Sequence, residues 1–146
     1  MRVLLQRVNH AHVSVDGSTV GQINRGLLLL TGIHRDDTPE TLEKMAEKLV
    51  HLRIFPDDRG KFHFSILDIN GEALVVSQFT LFGDTKKGRR PDFFDAMPPD
   101  PANMLCNQFI DLLRKKGIRL VQSGVFGADM KVLLENEGPV TLMIEV

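Results

Sequence analysis

The stretch "GLLLLTGI", residues 26–33, constrains this chain more than any other. It is a continuous apolar run of strand length, without the polar alternation of a half-exposed strand. Such a run should lie deep in a sheet. Its eight residues are too few to cross a bilayer. Whatever surrounds it must therefore supply both hydrogen-bonding neighbours and cover.

The flanking segments read as strands joined by hairpins. "MRVLLQRV" is a first strand that packs through Val3, Leu4, Leu5 and Val8. In "AHVSVDGSTVGQI", Val13 and Val15 alternate with polar neighbours, and Asp16 and Gly17 form a tight-turn pair. "RIFPDDRGKFHFSILD" is a short strand, a turn over residues 56–60 and a return. "GEALVVSQFTLF" is a further strand, and the tail holds three more, the last two parted at Gly138 and Pro139. Only two segments change to helical period. In "DDTPETLEKMAEKLVHL", Leu42, Met45, Ala46 and Leu49 form the inner stripe, Asp37 or Thr38 caps the start, and Pro39 suits the first turn. Glu43, Lys44, Glu47 and Lys48 read as its solvated face. In "DPANMLCNQFIDLLRKKG", Asp100 is the expected cap, Leu105, Phe109, Leu112 and Leu113 point inward, and Gly117 ends the helix. About eight to ten strands and two helices that do not alternate with them argue for an α+β fold, with an antiparallel or mixed sheet covered by helices.

The length of 146 residues suits one domain, spanning 1–146. A net charge of −1 gives no global basic footprint for nucleic acid. Trp and Tyr are absent, and nothing in the placement of the nine Phe favours stacking on bases. Cys106 is the single cysteine, which excludes an intrachain disulfide, and it reads as a buried small hydrophobe. "MRVLLQRVNH" is too short and too charged for a signal peptide. The expectation is a soluble, cytoplasmic protein.

Chemistry is sparse. There is no GxSxG, HExxH or glycine-rich phosphate loop, so no cofactor is expected. His10, His12, His34, His51 and His63 show no metal spacing. Three features stand out. Ser77, Gln78 and Thr80 interrupt an apolar run around Phe79, either as strand-end hydrogen bonding or as the lining of a cleft. A hydroxyl without a base is a poor nucleophile, whereas backbone N–H groups can hold an oxyanion. "KKGRRPD" places Lys86, Lys87, Arg89 and Arg90 in a long loop, either solvated or in contact with phosphates. Gly138 and Pro139 form either an ordinary strand start or a rigid corner whose carbonyls face a ligand.

Taken in order, "QRV", "LRIFPDDRGK", "SQFTL", "KKGRRPDF", "GVFGADMKV" and "NEGPVT" resemble the D-aminoacyl-tRNA deacylases over essentially the whole chain. The resemblance implies a homodimeric hydrolase with a β-barrel-like fold carrying two principal helices. Its substrate would be tRNA charged with a D-amino acid or glycine, cut at the ester to the terminal adenosine, in translation quality control. It implies active sites at the subunit interface, each taking its Gly-Pro segment, in cis, from the opposite subunit. Carried onto this chain, Ser77, Gln78, Phe79 and Thr80 are the catalytic segment, with the Phe79 N–H facing the oxyanion and Thr80 lining the pocket. Gly138 and Pro139 select chirality, rejecting L side chains by fixed backbone, and Arg7 holds them. Either Thr80 attacks, or the RNA's own 2′-hydroxyl assists water. No histidine or carboxylate adjoins Thr80 in sequence, which favours water.

The chain departs from the family pattern at Phe62 and His63, where "GKFH" replaces "GKMN", at Glu137, which replaces Asp, and at Cys106, where a Tyr is common. These bear on pocket shape and substrate range. A tRNA-independent esterase and a nonenzymatic nucleic-acid-binding dimer are the alternative readings.

Overall fold

The first strand frames the molecule. In the computed structural model, which describes residues 1–146, β1 runs unbroken over Arg2–Val15. The two segments that the sequence separates at Asn9 and His10 are one strand. Register shifts between Val8 and His10 absorb the polar pair as a bulge. Asp16 (φ 50°) and Gly17 (φ 78°) then turn the chain through two left-handed residues, as a two-residue hairpin requires. β2 (Ser18–Ile23) and β3 (Gly26–Gly32) follow one another back along β1, from Val15 opposite Ser18 to Arg2 opposite Gly32.

Helix α1 (Pro39–His51) starts from Thr38, whose N–H donates to Thr41 Oγ1 at 3.2 Å. Asp37 is taken instead by the N-terminal ammonium, 2.7 Å away. The small hairpin of β4 (Phe55–Pro56) and β5 (Phe62–Phe64) stands apart from the main sheet. β6 (Glu72–Ser77) pairs parallel with β3. Helix α2 (Pro99–Lys115) begins earlier than its sequence suggests. Pro98 occupies the cap position, and Asp100 lies in the first turn rather than before it. Its end is a Schellman arrangement, with Gly117 (φ 99°) bonding Arg114 O at 3.0 Å and Ile118 bonding Leu113 O at 3.4 Å. β7 (Leu120–Ser123) pairs parallel with β6. β8 (Lys131–Glu145) runs antiparallel along the free edge of β1, so the tail after α2 holds two strands rather than three. No helix is long and apolar enough to cross a membrane.

The architecture is α+β: a mixed, near-barrel sheet with two covering helices. The sheet curls until β2 approaches β7. A Cβ on Gly21 would lie 2.6 Å from the Ser123 carbonyl oxygen, so only glycine permits that approach. Curling gives the sheet two buried faces. Leu27 and Leu29 pack with Val3, Leu5, Ala73 and Val75 against the helices. Leu28 turns the other way, filling the barrel with Val8, Val13, Ile23, Leu74 and Val76. This two-sided burial is why residues 27–30 need no polar alternation. Each fully buried leucine contributes roughly 1.5–3 kcal/mol.

α2 buries Ala102, Cys106, Phe109, Ile110 and Leu113, leaving Leu105 and Leu112 at the flank of the stripe. Glu43 and Glu47 are more than a solvated face: both reach Lys116 beyond the end of α2, at 2.5 and 2.8 Å, and clamp the two helices together. Hydrogen bonds from Lys116 hold the Glu47 carboxyl below its usual range, and the two carboxylates raise the Lys116 ammonium.

Candidate active site

β6 ends at Ser77 because its parallel neighbour runs out. The Gln78 N–H donates to the Thr31 carbonyl at 2.8 Å as the last rung, and β3 stops one residue later. The strand expected through residue 82 therefore becomes a 3-10 turn over Phe79–Phe82. Leu81 N–H to Gln78 O, at 3.2 Å, and Gly83 N–H to Thr80 O, at 2.9 Å, close it. The leading N–H groups, on Phe79 and Thr80, have no carbonyl within the turn to bond.

This turn walls a cavity of about 600 Å³. Ser77, Gln78 and Phe79 form one side, beside Thr31 from β3. Phe93 and Met97 come from the long loop, Ala102 and Cys106 from α2, and Phe126 and Met130 from the β7–β8 connection. The position is physically favoured, since ligands gather beyond the carboxyl ends of parallel strands.

The cavity has almost no titratable chemistry. Its lining includes no carboxylate, imidazole or cation. The one ionisable group is the Cys106 thiol, which burial pushes up to about 11, so it is neutral near pH 7 and unreactive. Thr80 is exposed and lies just outside the lining. Its Oγ1 accepts a hydrogen bond from Gln78 Nε2, and a carboxamide nitrogen cannot take the hydroxyl proton. What the cavity offers is an apolar wall with neutral side-chain and backbone hydrogen-bonding groups at one rim.

Gly138 and Pro139 lie elsewhere. β8 does not break there; it bulges. Gln6 opposes Thr141 and Val8 opposes Asn136, so residues 137–140 stand against Arg7 alone and project from the sheet. The Gly138-Pro139 bond is cis, and both residues are exposed. Arg7, by contrast, is 5% exposed. A Cβ on Gly138 would sit 3.0 Å from Arg7 Nη2, so the guanidinium braces the corner directly. Arg7 Nε lies 2.9 Å from Glu137 Oε2, an ion pair by distance though not aligned as a hydrogen bond. Arg7 Nη1 donates to the Ile54 carbonyl at 2.5 Å, and the Phe62 ring lies 5.7 Å away. Asn136 ties the neck of the bulge. In the amide orientation that satisfies its neighbours, it donates to the Arg7 and Val140 carbonyls at 3.0 and 3.1 Å and accepts from Thr141 and Gln6.

Within one chain the corner and the cavity are separate. Val132 lines the cavity, and Gly138 follows it along β8 at a distance on the order of 20 Å. Lys86, Lys87, Arg89 and Arg90 are all exposed and contribute nothing to the lining. Asp84 and Asp92 close the base of their loop through backbone bonds of 2.8 and 2.9 Å. The next residue, Phe93, meets Phe79 edge-on at 4.9 Å, which joins the basic loop to the cavity rim. Sequence reasoning does not find the brace of Gln6, Asn136 and Thr141, although "QRV" and "NEGPVT" contain it. Nor does it find the loop and helix walls Met97, Ala102, Phe126 and Met130.

Fold and cavity define a class: an α+β protein with a pocket that presents neutral hydrogen-bonding groups where many enzymes place an acid and a base. Comparison with known proteins is specific. The family model described as D-Tyr-tRNA(Tyr) deacylase matches residues 4–145. The chain is 50% identical over 145 residues to the D-aminoacyl-tRNA deacylase of Thermosipho africanus (strain TCF52B), covering 99% of this chain and 97% of that one. It is 51% identical over 146 residues to that of Rhodopirellula baltica, with both chains fully covered. Among solved structures, the c-Myc DNA unwinding element binding protein superimposes with a TM-score of 0.94 at 42% identity, covering 100% of this chain and 99% of that one. A probable eukaryotic D-amino acid tRNA deacylase shares the fold, with a TM-score of 0.88 at 24% identity over 99% and 98% of the two chains. The chain belongs to the D-Tyr-tRNA(Tyr) deacylase family.

Proposed function

We propose that this chain hydrolyses the ester between a D-amino acid, or glycine, and the 3′-terminal adenosine of tRNA. It does so in the cytoplasm, as a homodimer. The observation that carries the mechanism is the cavity lined by neutral groups, whose single titratable member is a thiol raised to about 11. Side chains of that kind cannot run acid–base catalysis near neutral pH. Water attacks the ester carbonyl, and the RNA's own 2′-hydroxyl assists proton movement. The Phe79 N–H stabilises the developing oxyanion, and Ser77 and Gln78 hold the ester group against the rim.

The partner's Gly138-Pro139 corner completes each site. The corner is exposed and braced in one chain, yet remote from that chain's own cavity. Its carbonyls accept hydrogen bonds from the substrate ammonium, and its backbone occupies the space of an L side chain. Glycine passes because it has no side chain to clash. Lys86, Lys87, Arg89 and Arg90 meet acceptor-stem phosphates, so binding weakens as salt rises.

The test is release of D-tyrosine from D-Tyr-tRNA with L-Tyr-tRNA spared. Equal hydrolysis of both at low enzyme concentration would defeat the stereochemical assignment. Preference for a short aminoacyl ester over tRNA would make the protein a tRNA-independent esterase. Retained tRNA binding with no cleavage at either chirality would make it a nonenzymatic nucleic-acid-binding protein.

A further inference from the structure

Phe94 gives the chain a reason to stack on a base that the sequence does not supply. It is the most exposed of the large apolar side chains, at 72%. Exposed single apolar residues are common and usually mean nothing. This one is unusual in being fixed. Its N–H donates to Asp92 Oδ1 at 2.8 Å, and the neighbouring Asp95 carbonyl accepts from the Arg35 N–H at 3.0 Å. The Arg35 guanidinium carbon stands 4.1 Å from the ring centroid, well inside the range of about 6 Å at which a cation is held by a ring face. One face of the ring is thus occupied, and a ring so exposed has the other to offer.

Its location matters equally. Phe94 follows Phe93, which lines the cavity, and consecutive Cα atoms are about 3.8 Å apart. The four exposed cations of residues 86–90 precede it in the same loop. An exposed ring and cations carried by one loop, which also lines a pocket through Phe93, are what single-stranded RNA needs: rings take its unstacked bases, and cations take its phosphates.

We propose that Phe94, backed by Arg35, is a stacking platform for a nucleobase of the single-stranded 3′ end, just upstream of the terminal adenosine. The proposal rests on the deacylase reading, which seats that adenosine in the adjoining cavity. The platform acts in binding and takes no part in the chemistry of the ester.

The experiment uses full-length protein and an uncharged RNA hairpin ending in a single-stranded CCA tail, with the tailless hairpin as control. Fluorescence anisotropy should show Phe94→Ala binding the tailed hairpin about tenfold more weakly, the usual order for loss of one stacked base. Phe94→Trp should restore binding, and the tailless hairpin should bind all three proteins alike. With D-Tyr-tRNA, Phe94→Ala should raise KM by a similar factor at unchanged kcat, while cleavage of D-Tyr-adenosine is unaltered. Equal Kd for the tailed hairpin would overturn the platform, as would equal losses with and without the tail. A Phe94→Ala protein that is monomeric where the parent is dimeric would assign the ring to the subunit contact and overturn it too. A parent protein that leaves D-Tyr-tRNA intact would overturn the deacylase reading alone, because the hairpin series still decides the platform.

Discussion

Thr80 carries a hydroxyl whose side-chain hydrogen-bond partner cannot deprotonate it. Its side-chain partner is the Gln78 amide, and it lies outside the cavity lining. Thr80→Ala should therefore keep kcat/KM within about tenfold of the parent, whereas removing a true nucleophile costs on the order of a millionfold in kcat. Thermal unfolding should move little, as for an exposed substitution worth about 0.5 kcal/mol or less. A thousandfold loss in a folded protein would reinstate Thr80 as the attacking group. Cys106 makes the complementary case. Burial raises its thiol to about 11, so native protein should resist iodoacetamide at pH 8 and react as the pH approaches 11. Unfolded protein should react near pH 8.5, the ordinary thiol range. Mass spectrometry of the alkylated chain distinguishes the two, and rapid modification of native protein at pH 8 would place a thiolate in the cavity.

At the scale of elements, Glu72 joins three parts of the sheet. It is 2% exposed at the head of β6. The Asn24 N–H, between β2 and β3, donates to Oε2 at 2.7 Å, and Arg119, just before β7, pairs with Oε1. Burial pushes its carboxyl up, but the Asn24 and Arg119 hydrogen bonds outweigh burial and leave it below the usual carboxylate range. A depressed carboxyl stabilises the fold above its unfolded pKa of about 4.3, and that contribution is lost as pH falls through the lower folded value. Glu72→Gln should cost about 2 kcal/mol at pH 7, a fall of roughly 5 °C in Tm. The gap between variant and parent should begin to narrow as pH falls below about 4.3 and should close only once pH has passed below the depressed folded value. A gap that persists unchanged at pH 3 would mean that packing, not charge, is responsible. None of this is visible in sequence, where Glu72 is simply the first letter of an apolar strand. The elements that were legible are those whose reasons are local: the Asp16 and Gly17 turn, the apolar run of β3, and the helical stripes of α1 and α2. Those misjudged depend on distant neighbours. β6 stops at Ser77 because β3 ends beside it, and β8 continues past Gly138 because β1 pairs on both sides of the bulge. The same division holds in the site. Polar residues 77, 78 and 80 announce themselves by interrupting a hydrophobic run. Gln6 and Thr141, which hydrogen-bond across 135 residues of sequence, carry no such mark.

On the scale of the whole molecule, the separation of corner and cavity within one chain becomes a prediction about pairs of chains. A two-fold dimer presents the same surface twice, so each corner would serve the other chain's cavity. Gly138→Ala should displace the corner, since its φ of 117° disfavours any side chain and the new Cβ would press on Arg7 Nη2 and Val140 Cγ2, both 3.0 Å away. That protein should cleave L-Tyr-tRNA as well as the D form. Ala128→Trp should fill the cavity from its β7–β8 wall, leaving the corner intact and the chain inactive. When the two variants are refolded together with the filled chain in excess, nearly every open cavity faces an intact corner. Cleavage of L-Tyr-tRNA per Gly138→Ala chain should then fall towards zero while cleavage of D-Tyr-tRNA persists. If the corner instead guards its own chain, no excess of the filled variant can restore selection, and the ratio of D to L cleavage will stay where Gly138→Ala alone puts it. Size-exclusion chromatography of the mixture must show dimers in either case, so unchanged selectivity in a dimeric sample counts against the shared site rather than against mixing.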